Sequence, residues 1–199
     1  MCVRYDRDVP VQRRLRPELR REQVIDAAER VFAGQPYEQV TMDAVADEAG
    51  ISRALLYRHF PGKNALFAAV YQRAADRLVD RVRLDGGAPL EEQILAGLDA
   101  HLDYFAANRN AVLAANQTLA TDPVVQDIIN TELSTLGDRI TDAIALDPRE
   151  RQRLSAIAIS WLAFVRVMCV QWLAHGHFSR DELRVICMDA FNAVIPAET

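Results

Sequence analysis

Cysteine is scarce in this chain of 199 residues, and what there is stands apart. Cys2, Cys169 and Cys187 fall at no disulfide or metal-ligand spacing. That excludes a disulfide framework and a structural zinc site, and points to a reducing, cytoplasmic setting. Cys169 and Cys187 read as small buried hydrophobes, and Cys2 as a terminal thiol. Glycine and proline are sparse, 8 of each, and β-branched alternation is nearly absent. A β architecture is excluded, and an all-α fold of about nine helices follows. No nucleophile–base pair and no phosphate loop appears, so neither an enzyme nor a cofactor is expected. His175-Gly176-His177 is a weak metal pattern at a helix end, where a cationic His suits the dipole instead. Glu91-Glu92 reads as a solvated face. Residues 1–21 carry seven arginines and no apolar core, so no signal peptide is expected. No membrane span is expected either. The longest apolar run, from Ala156 to Ala174, is broken by Ser160, Arg166 and Gln171, and an arginine in mid-bilayer is costly. No internal repeat is visible.

What is present is apolar residues and an uneven charge. Half the residues are apolar, enough for a sizeable core. Net charge is −5, but residues 1–85 sum to +2 and residues 86–199 to −7. A relatively basic N-terminal part on an acidic remainder fits an attraction to phosphate at one end of the molecule.

The most informative stretch is Thr41 to Lys63, TMDAVADEAGISRALLYRHFPGK. Thr41 can cap a first helix, and Asp43 sits in its first turn, where the dipole favours an anion. Val45, Ala46 and Ala49 make an apolar face. Gly50 falls where a left-handed residue closes a helix. Ile51 drops into the angle, and Ser52 can cap a second helix that Pro61-Gly62 stops. Cap, short helix, glycine turn, cap, short helix predicts a helix-turn-helix. The same spacing also fits a plain packing hairpin. The second helix favours a nucleic-acid surface, because Arg53, Tyr57, Arg58 and His59, with Lys63 beyond, are donors suited to phosphates and base edges. Leu56 and Phe60 read as core. His59 also fits a purely packing role.

Around this stretch, residues 1–16, with Arg13, Arg14 and Arg16, read either as a frayed terminus or as a basic arm. A first helix is predicted from Pro17 to Ala33, with Val24, Ala27, Ala28, Val31 and Phe32 facing inward. Tyr37 and Val40 are expected to pack back on Phe32. A long helix from Lys63 to about Leu84 would end at Asp85-Gly86-Gly87. Five more helices are predicted: Leu90 to Ala107, Arg109 to about Leu119, one opened by Asp122-Pro123, one from Asp147-Pro148 to His175-Gly176, and one capped by Ser179.

The combination REQVIDAAERVFA, TMDAVADEAGIS and LLYRHFPGKNALF within residues 18–67 resembles the DNA-binding region of the TetR family of bacterial transcriptional regulators. The resemblance covers about a quarter of the chain. It implies residues 17–63 as a DNA-binding domain, 64–85 as a connecting helix and 86–199 as a ligand-binding and dimerisation body. It places Thr41, Ser52, Arg53, Ala54, Leu55, Tyr57, Arg58, His59 and Lys63 at double-stranded operator DNA. Of these, Arg53, Ala54, Leu55 and Tyr57 would meet bases, and Thr41, Tyr57, Arg58, His59 and Lys63 phosphates. Many relatives carry glycine where this chain has Ala54, so its preferred operator should differ. The resemblance further implies a homodimer through the last two helices and a repressor released by a small-molecule effector, with no membrane partner. Candidate effector liners are Phe105, Leu113, Asn116, Gln117, Trp161, Phe164, Arg166, Met168 and Trp172, each of which also reads as plain core. Arg166 has three readings: paired with Glu132 or Asp103, awaiting an anionic ligand, or facing solvent or the dimer seam. The alternatives to a repressor are an activator or dual regulator, and a helical carrier or interaction protein without DNA function.

Overall fold

The computed structural model describes residues 17–195 apart from 83, 85, 86, 145 and 146. The expected basic arm at 1–16, Cys2 and the Asp85-Gly86 terminator lie outside the described residues. Among those described, the chain forms nine α-helices and no strand.

The first four helices make the N-terminal end: α1 (Pro17–Gly34), α2 (Met42–Glu48), α3 (Arg53–His59) and α4 (Lys63–Arg81), with a 3-10 turn at Tyr37–Gln39 before α2. Val24, Ile25, Ala28 and Phe32 of α1 are buried as the helical period requires, while Val31 is only half-buried. Tyr37 stacks on Phe32 with centroids 6.0 Å apart, and Phe67 of α4 meets both rings edge-on at 5.2 and 5.3 Å. Tyr71 continues the series one turn along α4, 5.7 Å from Phe67. Edge-to-face contacts of this kind fix rings beyond the gain from burial alone. Outside this aromatic layer, Arg73 of α4 reaches Asp26 at 2.6 Å and also pairs with Glu29, which Arg77 meets at 2.8 Å. Together these contacts tie α1 to α4.

The remaining helices form the body: α5 (Leu90–Ala107), α6 (Arg109–Leu113), α7 (Pro123–Ile144), α8 (Pro148–His175) and α9 (Arg180–Val194). Local chemistry sets their ends. Asp122 accepts from the amides of Val124 and Val125 at 3.0 and 3.1 Å, and Asp147 from those of Arg149 and Glu150. Ser179 and Glu182 form a reciprocal capping box at α9. Gly176 closes α8 at φ +66, a left-handed conformation natural to glycine. α7 and α8 pack closely because Gly137 has no side chain: a Cβ there would lie 2.6 Å from Ile159 Cγ1.

Two boundaries differ from expectation. α4 ends at Arg81 rather than near Leu84, and Arg139 of α7 donates to the carbonyls of Val79 and Val82, the latter at 2.6 Å. A cation suits the carbonyl end of a helix and so favours an end at this point. The segment predicted as one helix from Arg109 to Leu119 is α6 followed by a π turn at Ala114–Thr118. There the Leu119 amide reaches back five residues to Ala114, and the Asn116 amide group donates to the Val112 carbonyl at 2.7 Å.

By length and composition alone α8 is long and apolar enough to cross a membrane, a test that a buried core helix also meets. Arg166, the residue that argued against a span, is paired inside the protein, and α8 serves as the central helix of the body. One contiguous cluster of buried side chains runs from Val24 in α1 through Leu66, Phe67 and Leu78 of α4 to Phe191 and Ile195 at the far end.

Candidate nucleic-acid interface and body cavity

The turn between α2 and α3 is built as its residues dictate. Thr41 Oγ1 accepts from the Ala44 amide at 3.1 Å, and Ser52 Oγ from the Leu55 amide at 3.3 Å. Gly50 takes φ +64, and the Ile51 amide returns to the Ala46 carbonyl at 3.0 Å. These caps and the glycine turn set where α3 begins. Leu56 and Phe60 point inward at 0 and 3 % exposure, while Ser52, Arg53, Ala54, Tyr57 and Arg58 are exposed. Leu55, His59 and Lys63 are half-buried at the edge of the same surface, and Thr41 is exposed beside it.

Arg53 does not wave freely. It donates to Asp43 of α2 at 3.1 Å and lies over the Tyr57 ring at 5.4 Å. Both partners are well exposed, so the pair adds little stability. Its effect is to hold the guanidinium out along the first turn of α3. Asp43 is the residue that sequence reasoning missed; it was read only as a dipole partner, and its alignment with Arg53 depends on the angle between the two helices. Lys63 donates to the Tyr37 carbonyl at 2.9 Å and lies 4.3 Å over the Tyr37 ring. It also opens α4, whose first turn has no side-chain cap, an arrangement favourable to an anion. A further guanidinium, Arg21 of α1, sits 5.1 Å over the Phe60 ring.

In the body, the predicted liners separate into three groups. Phe105, Asn116 and Arg166 meet in a buried polar node. Arg166, 4 % exposed, donates through Nε to Asn116 Oδ1 at 3.1 Å, through Nη1 to Glu132 at 3.2 Å and through Nη2 to the Tyr71 hydroxyl, and lies over the Phe105 ring. The pairing with Glu132 is one of the alternatives the sequence left open. Asp103 instead pairs with Arg180, and the solvent and dimer-seam readings of Arg166 are corrected, since a residue with all three nitrogens engaged in the core faces neither. Burial pushes the Glu132 carboxyl upward against the pull of Arg166, and burial likewise lifts the Tyr71 phenol to about 12.

Trp161 belongs to a different place, the wall of a cavity. Val82 and Leu84 beyond α4 form one side, and Ile94, Gly97, Leu98 and His101 of α5 a second. Leu136 and Ile140 of α7, with Trp161, Leu162 and Val165 of α8, complete it. Its empty space is ≈ 400 Å³ with the open mouth included, although a water-sized sphere's centre has only ≈ 30 Å³ in which to move. The Trp161 indole donates to the Cys187 carbonyl at 2.9 Å, which fixes the ring. His101, 5 % exposed, lies 4.2 Å from the Phe105 ring, and its Nε2 has no hydrogen-bond partner. Burial and then the Arg166 charge depress its pKa to about 3, so the imidazole is neutral. The signal for His101 in sequence was a lone histidine on the apolar stripe of Ile94, Leu98, Leu102 and Phe105.

The other predicted liners stand away from this cavity. Leu113, Met168 and Trp172 are half-buried against the core, and Gln117 is exposed on the π turn. Phe164, 37 % exposed, lines a shallow outer groove with Ile157, Ser160, Ala190 and Val194 of α8 and α9. Val167 and Val185 add further exposed apolar surface on the same two helices. Among the described residues no group of His, Cys, Asp and Glu could hold a metal ion. The rings of His175 and His177 stack at 5.2 Å instead.

The family model for bacterial regulatory proteins of the tetR family matches residues 24–70, which span the inner face of α1, both helices of the turn and the start of α4. The HTH-type transcriptional activator FasR of Mycolicibacterium smegmatis is 31% identical over 164 residues, 80% of this chain and 75% of FasR. The HTH-type transcriptional repressor AcnR of Corynebacterium diphtheriae is 30% identical over 115 residues, 58% of each chain. Among solved structures, a tetR-family transcriptional regulator from Streptomyces coelicolor superposes with a TM-score of 0.80 at 26% identity, over 90% of this chain and 82% of that one. The likeness thus extends from the capped turn through the helical body, and the chain belongs to the TetR family of DNA-binding transcriptional regulators.

Proposed function

We propose that this chain is a ligand-responsive repressor that binds a two-half-site operator as a homodimer and is released by a small, mostly apolar effector. It acts in the cytoplasm, beside its DNA. Residues 17–63 serve as reading head, 64–85 as connecting helix and 86–199 as ligand-binding and dimerisation body. The observation that carries the reading is the orientation of α3, with Leu56 and Phe60 inward and Arg53, Ala54, Tyr57 and Arg58 outward. Arg53, Ala54, Leu55 and Tyr57 then face base edges, with Ser52 as the cap that sets their height in the groove. Thr41, Tyr57, Arg58, His59 and Lys63 hold phosphates. The apolar groove on α8 and α9 supports a two-fold contact between copies.

The effector enters between α5, α7 and α8, against Val82 and Leu84. Those residues follow α4 directly, so an occupant that spreads them swings the helix that carries the head. It does so only to the extent that it binds the spread state more tightly. That FasR is an activator supports a second reading, in which the DNA-bound dimer recruits transcription. A reporter gene behind the operator separates the two: deletion of the regulator raises expression for a repressor and lowers it for an activator.

DNA reading itself is tested by mobility shift on operator and random duplexes at two salt concentrations. Arg53→Ala is expected to cost about 1–3 kcal/mol on the operator and much less on random DNA. Lys63→Ala should weaken both alike and flatten the salt dependence by roughly one phosphate contact. Equal losses on both duplexes for Arg53→Ala would remove its base-reading role.

A further inference from the structure

The cavity beneath the end of α4 carries information about what it binds. Among the described residues no wall side chain bears a formal charge, and all but His101 and the Trp161 indole are glycine or branched aliphatics. The indole N–H is already committed to the Cys187 carbonyl. That leaves His101 Nε2, a buried atom with no hydrogen-bond partner on a side chain that lines the cavity. An unmet polar atom in such surroundings is costly, and a ligand that meets it gains what the protein alone lacks. Arg139 already donates to the carbonyls of Val79 and of the wall residue Val82, and Arg166 is committed to partners in the core. Each of the three Arg166 nitrogens already donates, to Asn116, Glu132 and Tyr71, and the Glu132 carboxylate beside it opposes a second negative group. A buried carboxylate or phosphate would therefore lose its hydration with no matching partner.

Resting on the reading of this cavity as the effector site, we infer that the effector is an uncharged, mainly aliphatic alcohol whose hydroxyl bonds His101 Nε2. A hydroxyl suits either tautomer of the imidazole, since it both donates and accepts. A carbonyl would satisfy only the tautomer that carries hydrogen on Nε2. The chain of the alcohol lies among Ile94, Leu98, Leu136 and Ile140. The room is narrow at rest, so entry pushes Val82 off Gly97, where the fit is already close: a Cβ on Gly97 would stand 3.1 Å from Val82 Cγ1.

The full-length dimer tests this without a known operator. The chain has two tryptophans, and Trp172→Phe leaves Trp161 as sole reporter. In that background octanol, octanoate and octane are titrated at neutral pH while Trp161 fluorescence and the melting temperature are followed. The expected order is octanol first, with octanoate at least about tenfold weaker for want of a cation, and octane weaker for want of the hydrogen bond. His101→Leu should bring octanol down to the affinity of octane. Octanoate binding as tightly as octanol would overturn the uncharged class, and so would octanol affinity unchanged by His101→Leu; both leave the cavity standing as a ligand site. If no probe perturbs Trp161 in a protein that still binds DNA, the cavity reading itself falls, and the inference with it. The comparison of three probes on His101-containing protein decides the matter even if the variant folds poorly.

Discussion

Two buried side chains, Arg166 and His101, illustrate opposite costs at the scale of a residue. Arg166 is fully engaged, and its removal strands Glu132 in the core. Arg166→Leu is therefore expected to destabilise by about 3–5 kcal/mol. The double variant Arg166→Leu/Glu132→Leu should recover most of that loss, as chemical denaturation would reveal; additive losses would show that the pair is not coupled. His101 is the converse, a polar atom with no bond to lose. His101→Leu should leave stability at neutral pH unchanged or raise it. The pH dependence has a definite sign. The folded protein holds His101 neutral to about pH 3, whereas an unfolded imidazole takes up its proton near 6.5. Between those values the unfolded chain binds more protons, so stability falls as pH drops from 6.5 toward 3. His101→Leu should flatten that slope in thermal melts, and an identical slope in both proteins would place the acid sensitivity elsewhere.

At the scale of the element, the close packing of α7 on α8 depends on one missing side chain. Gly137→Ala improves helix propensity but drives a methyl to 2.6 Å from Ile159 Cγ1, which is not the free end of a side chain. A net loss of about 1–3 kcal/mol is expected, with Ile159→Ala restoring the pair. Stabilisation by Gly137→Ala alone would show that the two helices slide apart without penalty. Helix limits of this kind were largely legible in the sequence, because caps and glycines act over a few residues: Thr41, Gly50, Ser52, Asp122, Asp147 and Gly176 all do what their chemistry predicts. What could not be read were limits imposed from a distance. Arg139 meets the end of α4 from nearly sixty residues away, and the π turn depends on Asn116 turning back to Val112 while meeting Arg166. The cavity was missed for the same reason. Of the aromatic and sulfur side chains named from the sequence, Trp161 lines this cavity while Met168 and Trp172 pack elsewhere, and the rest of the wall is mostly aliphatics whose convergence no local pattern announces.

The whole molecule has to place an acidic body near a polyanion. Its net charge of −5 repels DNA, so binding depends on the relatively basic end facing the duplex and should weaken steeply with salt. In the proposed dimer, two heads held at a fixed spacing would double that local attraction. The exposed apolar face of α8 and α9 is the surface on which the pairing would rest. Phe164→Glu should shift sedimentation toward a monomer and reduce operator affinity far more than single-half-site affinity. A dimer that survives the change would move the seam elsewhere.

The unbroken core also bears on modular engineering. Regulators are attractive parts for chimeras, in which the reader of one protein is joined to the sensor of another. Here a junction at the end of α4 would cut through continuous packing. Tyr71 of α4 is a partner of Arg166 in α8, while Thr118 donates to Glu38 and Asn64 to Asp122 across the same boundary. A transplant that exchanges only residues 17–82 leaves those contacts mismatched, and the hybrid would bind DNA yet answer to nothing. Carrying Asn110, Thr118, Asp122, Arg139 and Arg166, the last with its partners Asn116 and Glu132, along with residues 17–82 keeps hydrogen bonds that cross that junction.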